Sequence, residues 1–127
     1  MTCAVRERRK ILDQPSAHAA IVEAWRMAEA WHVGKYMIMP DHIHFLCSPA
    51  GEIPLATWMR YWKRLAAQTC PELLGRWQPG HWDTRIRRTE SYRAKWEYVE
   101  QNPVRAGLAI QPEDWPYQGE INVLRID

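Results

Sequence analysis

Tyr36-Met37-Ile38-Met39-Pro40-Asp41-His42-Ile43-His44-Phe45-Leu46-Cys47 is the stretch around which the chain is organised. Read as a strand, it alternates its side chains between two faces. His42, His44 and Leu46 then point one way, and Ile43, Phe45 and Cys47 the other. Two imidazoles two residues apart on one face can converge on a single divalent cation. Pro40-Asp41 supplies turn chemistry just ahead of them, which predicts a tight connection from an earlier strand over Lys35 to Met39. His-x-His is a short motif, and a half-buried strand whose histidines meet only water has the same pattern.

A chain of 127 residues suits one domain with one core, taken here as 1–127. Apolar residues make up 46% and charged residues 25%, which places the sequence among globular rather than disordered chains. The formal net charge of +2 is too small to point to nucleic acid by itself, so the clustering of basic residues says more. Eight tryptophans stand against one phenylalanine, and most of these indoles are expected in the core or at its rim. Cys3, Cys47 and Cys70 are odd in number and include no Cys-x-x-Cys pair, which predicts reduced thiols in a cytoplasmic protein. No apolar N-terminal run resembles a signal peptide, and no stretch reaches the length of a membrane span.

Thr2 to Val5 reads as a short first strand, followed by the charged run Arg6-Glu7-Arg8-Arg9-Lys10. That run is either a solvated loop or a phosphate-binding arm. Ser16 is a candidate N-cap, and Ile21, Ala24, Trp25, Ala28 and Trp31 recur at helical spacing. They predict an amphipathic helix from Ser16 to His32, ended by Gly34. Beyond the His-Ile-His strand, Ser48 to Gly51 reads as a turn, and Pro54 fits the first turn of a second helix. Leu55, Trp58, Met59, Trp62, Leu65, Ala66 and Thr69 form its apolar stripe. Arg60, Lys63 and Arg64 fall away from the stripe, as a solvated face or a phosphate-facing edge.

The run from Trp77 to Asp83, with Trp82 inside it, leads into Arg85-Ile86-Arg87-Arg88. It joins aromatic planes to cations, the combination that single-stranded nucleic acid needs. A tryptophan-rich loop packed over the core has the same composition. Thr89 or Ser91 can cap a third helix, predicted to run to Asn102, where Pro103 stops it. Tyr92, Trp96 and Val99 share its inner side, and Lys95, Tyr98 and Asn102 an adjoining one. Tyr98 and Asn102 are four residues apart and therefore neighbours on the helix surface. Ile121 to Ile126 is expected as a short edge strand.

Three of these runs resemble a known family. Met39-Pro40-Asp41-His42-Ile43-His44-Phe45-Leu46 is similar to the Met-Pro-Asn/Asp-His-hydrophobic-His-hydrophobic-Leu signature of the single-tyrosine HUH transposases. Tyr98-Val99-Glu100-Gln101-Asn102-Pro103-Val104-Arg105-Ala106-Gly107-Leu108 resembles the Tyr-x-x-x-Asn-Pro-Val-Arg-Ala-Gly-Leu block of their REP-associated tyrosine transposase branch. Trp82-Asp83-x-x-Ile86-Arg87 looks like the branch's aromatic-Asp-x-x-Ile/Leu-Arg element. The resemblance covers positions 35 to 117, in the right order. The segments before Arg6 and after Trp115 are short for the branch, which predicts a reduced DNA-recognition surface at the N-terminus and little or no regulatory tail.

The resemblance implies an α+β fold, an antiparallel sheet with helices packed on one side, of the ferredoxin-like and RRM-like HUH kind. It implies His42 and His44 as paired ligands of Mg²⁺ or Mn²⁺, with the Asn102 amide as a third ligand and Tyr98 as the nucleophile. Asp83 and Arg87 match motif positions without an assigned role. The implied activity is single-stranded DNA cleavage and strand transfer at hairpins such as REP elements, through a 5′-phosphotyrosine. Arg60, Lys63, Arg64, Arg85, Arg87 and Arg88 are then candidate phosphate contacts, and Trp77 and Trp82 candidate stacking residues. The family works as monomers or homodimers, away from membranes. Two rivals share these residues: a domesticated hairpin-DNA binder that does not cut, and a metal-dependent nuclease that uses water instead of Tyr98.

Overall fold

The computed structural model describes residues 2–4, 10–77 and 89–124, with side chains described from 10 to 77 and from 93 to 124. Four strands, β1 (Thr2–Ala4), β2 (Trp31–Met39), β3 (His42–Pro49) and β4 (Gln118–Glu120), form one sheet in the order β1-β3-β2-β4. Every neighbouring pair in it is antiparallel. The expected hairpin is present: Pro40 and Asp41 alone separate β2 from β3. This puts His-Ile-His on an inner strand, with His42 paired to Met39 and Ala4, and His44 to Met37 and Thr2.

The two faces of the sheet carry different cores. On one face Tyr36 lies opposite Phe45 and Ile38 opposite Ile43. Against them pack α1 (Pro15–Met27) through Ile21, Ala24 and Trp25, and α2 (Leu55–Thr69) through Trp58, Met59 and Trp62. Trp25, Phe45, Trp58 and Trp62 form a continuous aromatic cluster with ring centroids 5.0–6.3 Å apart. Each large ring removes much apolar area from water, and tilted or edge-on contacts suit their quadrupoles.

A bulge between Val33 and Tyr36 corrects the alternation, so that Val33 joins this same core. Gly34 sits in the bulge because nothing larger fits. A Cβ there would lie 2.8 Å from the Leu124 side chain and 3.3 Å from the Asn122 carbonyl oxygen. Asn122 clamps the bulge from the other side, donating to Val33 O from its backbone N at 3.0 Å and its side-chain Nδ2 at 2.9 Å.

Met37, Met39 and Leu46 form a second core on the opposite face, with Trp96 and Trp115. Trp96 belongs to α3 (Thr89–Glu100). Trp115 is pinned by its Nε1, which donates to Ile38 O at 2.9 Å. Helices therefore cover both faces of the sheet, not the one face expected. A strand interior with apolar residues on both sides reads this way because neither face meets water.

Three boundaries differ from the sequence reading. The first helix stops at Met27 rather than His32, and Trp31 and His32 begin β2. Trp31 continues the helical period of α1, but it pairs with Pro49 on β3, its ring lies near Trp58 and its Nε1 donates to Ile53 O. The third helix ends at Glu100, and Asn102 opens a separate turn, α4 (Asn102–Arg105). Pro103 sits in the first turn of α4 instead of stopping a helix, where its missing N–H is no loss. The edge strand is Gln118–Glu120, and beyond it Ile121 and Asn122 bond to Gly34 and Val33 without extending it. Among the described residues, no helix is long and apolar enough to cross a membrane.

Candidate active site

His42 and His44 project from β3 on the face of the second core. Their ring centroids are 4.9 Å apart and their planes nearly perpendicular, at 88°. His42 Nδ1 donates to Asp41 Oδ1 at 2.7 Å, with the two side chains only 18% and 19% exposed. Asp41 thus fixes the ring from the hairpin tip and leaves Nε2 for a ligand. His44 is pushed down to a pKa of about 4, first by burial and then by the His42 ring and other positive charge, including Arg105. Near neutral pH it is therefore the uncharged imidazole, the form that ligates metal.

Among the described residues, no three His, Cys, Asp or Glu side chains gather at one point. A cation held by His42 and His44 would draw its remaining ligands from an amide, water or substrate oxygens. Two imidazoles, one of them braced by a carboxylate, suit a divalent cation with positions left open.

The second core ties α3 to this face. Trp96 is buried against Met37, Met39 and Leu46, with Val99 packed beside it. Tyr98, between those two, is 68% exposed. Asn102 is half-buried at the start of α4. Arg105 joins them: its guanidinium lies 4.1 Å from the centroid of the Tyr98 ring. One of its nitrogens, Nη2, donates to Tyr98 O at 2.8 Å and also to Asn102 Oδ1. Pro103 breaks the helical reading between Asn102 and Arg105, so the sequence did not single out Arg105 as a neighbour of Tyr98. Asp41, read from sequence only as a turn residue, is the other site residue that the motif reading missed.

The remaining candidates lie elsewhere. Arg60 and Arg64 are exposed and Lys63 half-buried on α2, which packs on the opposite face of the sheet from the histidines. Arg64 lies over the Tyr61 ring at 5.6 Å, and Lys63 Nζ over the Trp77 ring at 5.4 Å. Trp77 packs edge-on against Trp62 at 5.4 Å, so it is partly a core residue, and its buried Nε1 has no partner among the described residues. Trp82, Asp83, Arg85, Arg87 and Arg88 lie outside the described residues.

No family model matches the chain. Over 88 residues, 68% of its length, it is 31% identical to the REP-associated tyrosine transposase of Escherichia coli strain K12. It spans about half, 53%, of that relative. Its fold is similar to a solved REP-associated tyrosine transposase bound to a REP hairpin, with a TM-score of 0.74 and 28% identity. That match covers 92% of this chain and 72% of the solved one. With both sequence and fold in agreement, the chain belongs to the REP-associated tyrosine transposase branch of the single-tyrosine HUH transposases.

Proposed function

We propose that this protein cleaves and rejoins single-stranded DNA at hairpins, using Tyr98 as nucleophile and a divalent cation held by His42, His44 and Asn102. One observation carries the reading: the helix bearing Tyr98 is packed through Trp96 onto the same sheet face that presents the two histidines. The hairpin held by the solved relative supports hairpin DNA as the substrate class.

In the cleavage step Tyr98 Oη forms a bond to the scissile phosphorus, and the bond from phosphorus to the 3′-oxygen breaks. The phenol loses its proton and the departing 3′-oxygen gains one. The products are a 5′-phosphotyrosine and a free 3′-hydroxyl, and attack by a second DNA 3′-hydroxyl reverses the chemistry to join strands. The phosphotyrosine keeps the energy of the broken linkage, so no nucleotide is consumed. When bound, the cation supplies Lewis-acid charge to the non-bridging oxygens. Asp41 keeps the His42 ring oriented. Burial keeps His44 unprotonated. Trp96 anchors α3, which carries Tyr98, to the face that presents the histidines. Arg60, Lys63 and Arg64, on the far side of the sheet, would meet the hairpin away from the scissile phosphate.

The test is a labelled single-stranded hairpin incubated with the protein and Mn²⁺ or Mg²⁺, then run on a denaturing gel. A covalent adduct is expected, lost in Tyr98→Phe, in His42→Ala and on chelation. Cleavage that survives Tyr98→Phe would mean a water-using nuclease. Tight binding without any adduct would mean a hairpin-binding protein.

A further inference from the structure

The site contains a cation that the reaction above does not use. We propose that Arg105 is a catalytic residue that contacts the scissile phosphate beside Tyr98. This rests on the tyrosine reading of the site and adds to it the group that receives the negative charge of the substrate.

Arg105 is exposed on α4, yet it is held in place from two directions. Its guanidinium carbon lies 4.1 Å from the Tyr98 ring centroid, and Nη2 donates to both the Tyr98 carbonyl oxygen and the Asn102 amide oxygen. No carboxylate among the described residues pairs with it, and its described hydrogen bonds all run through Nη2. Among the described residues, Nε and Nη1 thus have no hydrogen-bond acceptor. A guanidinium presents such donors as a planar fork that matches two oxygens of a phosphate.

A purely structural role accounts for less of this. Tying α4 to α3 needs only the Nη2 bonds, and it does not need an unpaired charge over the nucleophile's ring. Charge grows on the non-bridging oxygens as the phosphorus is attacked, and a preorganised cation there stabilises the transition state more than the ground state.

The experiment compares wild type, Arg105→Ala and Arg105→Lys on two hairpins. One carries the natural phosphate at the mapped cleavage point. The other carries an uncharged methylphosphonate there. On the phosphate, Arg105→Ala is expected to slow adduct formation on the order of 100-fold with hairpin affinity little changed, as loss of one preorganised donor does. Arg105→Lys, which keeps charge without the fork, should fall between them. On the methylphosphonate the gap between wild type and Arg105→Ala should shrink to a few-fold, roughly the part not owed to charge. Equal losses on both hairpins would show that Arg105 only holds the fold and would overturn the proposal. An unaffected Arg105→Ala on the phosphate would overturn it as well while leaving Tyr98 in place. A wild type that forms no adduct would remove the tyrosine reading itself, and this proposal with it.

Discussion

At the scale of single residues, the site depends on small groups that brace the ones doing chemistry. Asp41 is the clearest. Its carboxylate accepts the Nδ1 proton of His42 at the tip of a two-residue hairpin. Asp41→Asn keeps the size but weakens that bond, and is expected to lower Mn²⁺ affinity by about 10- to 100-fold, as loss of such a brace commonly does. Titration calorimetry of the metal alone reads it, and an unchanged affinity would mean that the ring is held by other contacts. The sequence singled out the histidine pair, Tyr98 and Asn102 as candidates because each sits in a fixed motif. It hid the roles of Asp41 and Arg105, since an aspartate at a turn and an arginine beyond a proline are ordinary residues until their partners are seen.

His18 is a second such residue, away from the site. Its Nε2 is 2.8 Å from Tyr36 Oη, and burial holds its pKa below the usual 6.5. The unfolded chain therefore takes up this proton first. The stability that neutral His18 contributes is complete above the unfolded value, and it is lost as the pH falls through the lower, folded one. In urea melts, the gap between wild type and His18→Gln is expected to be largest near pH 8 and to narrow towards roughly pH 5. A gap that stays constant or widens on acidification would contradict this.

Among the elements, α3 matters most to the proposed site, because it carries Tyr98 and packs through Trp96 on the histidine face. Trp96 is its buried anchor, 7% exposed in a cluster with Met37, Met39, Leu46 and Trp115. Trp96→Ala is expected to cost about 3–5 kcal/mol of stability and most of the adduct yield. A loss under about 1 kcal/mol would show that the helix is held some other way. The inward position of Trp96 was legible from helical spacing. The end of α1 was not: Trp31 extends the helical period of Ala24 and Ala28, but it pairs with Pro49 of β3 as the first residue of β2. Gly34 likewise looked like a helix terminator. Its reason is tertiary, the close approach of Asn122 and Leu124 to the bulge. Local pattern gives way wherever packing from distant residues decides the backbone.

For the molecule as a whole, the sheet is a partition. One face holds the aromatic core with α1 and α2, and the other holds the histidines with α3. The basic residues of α2 and the histidine pair are therefore on opposite sides, an arrangement that a list of positive charges cannot show. A hairpin that touches both must pass around an edge of the sheet. The antiparallel sheet and its hairpin were legible from alternation and turn residues, and the family from three motifs. The covering of both faces was not, because it depends on where a helix from the far end of the chain returns. The most direct test at this scale asks whether that return brings Tyr98 to DNA. The wild-type adduct would be trimmed by nuclease, digested with trypsin and sequenced by tandem mass spectrometry. Cleavage after Lys95 and Arg105 isolates a peptide whose one tyrosine is Tyr98. The expected result is a nucleotide joined through its 5′-phosphate to Tyr98. Nucleotide on any other residue, or none on this peptide while the DNA is cut, would contradict it.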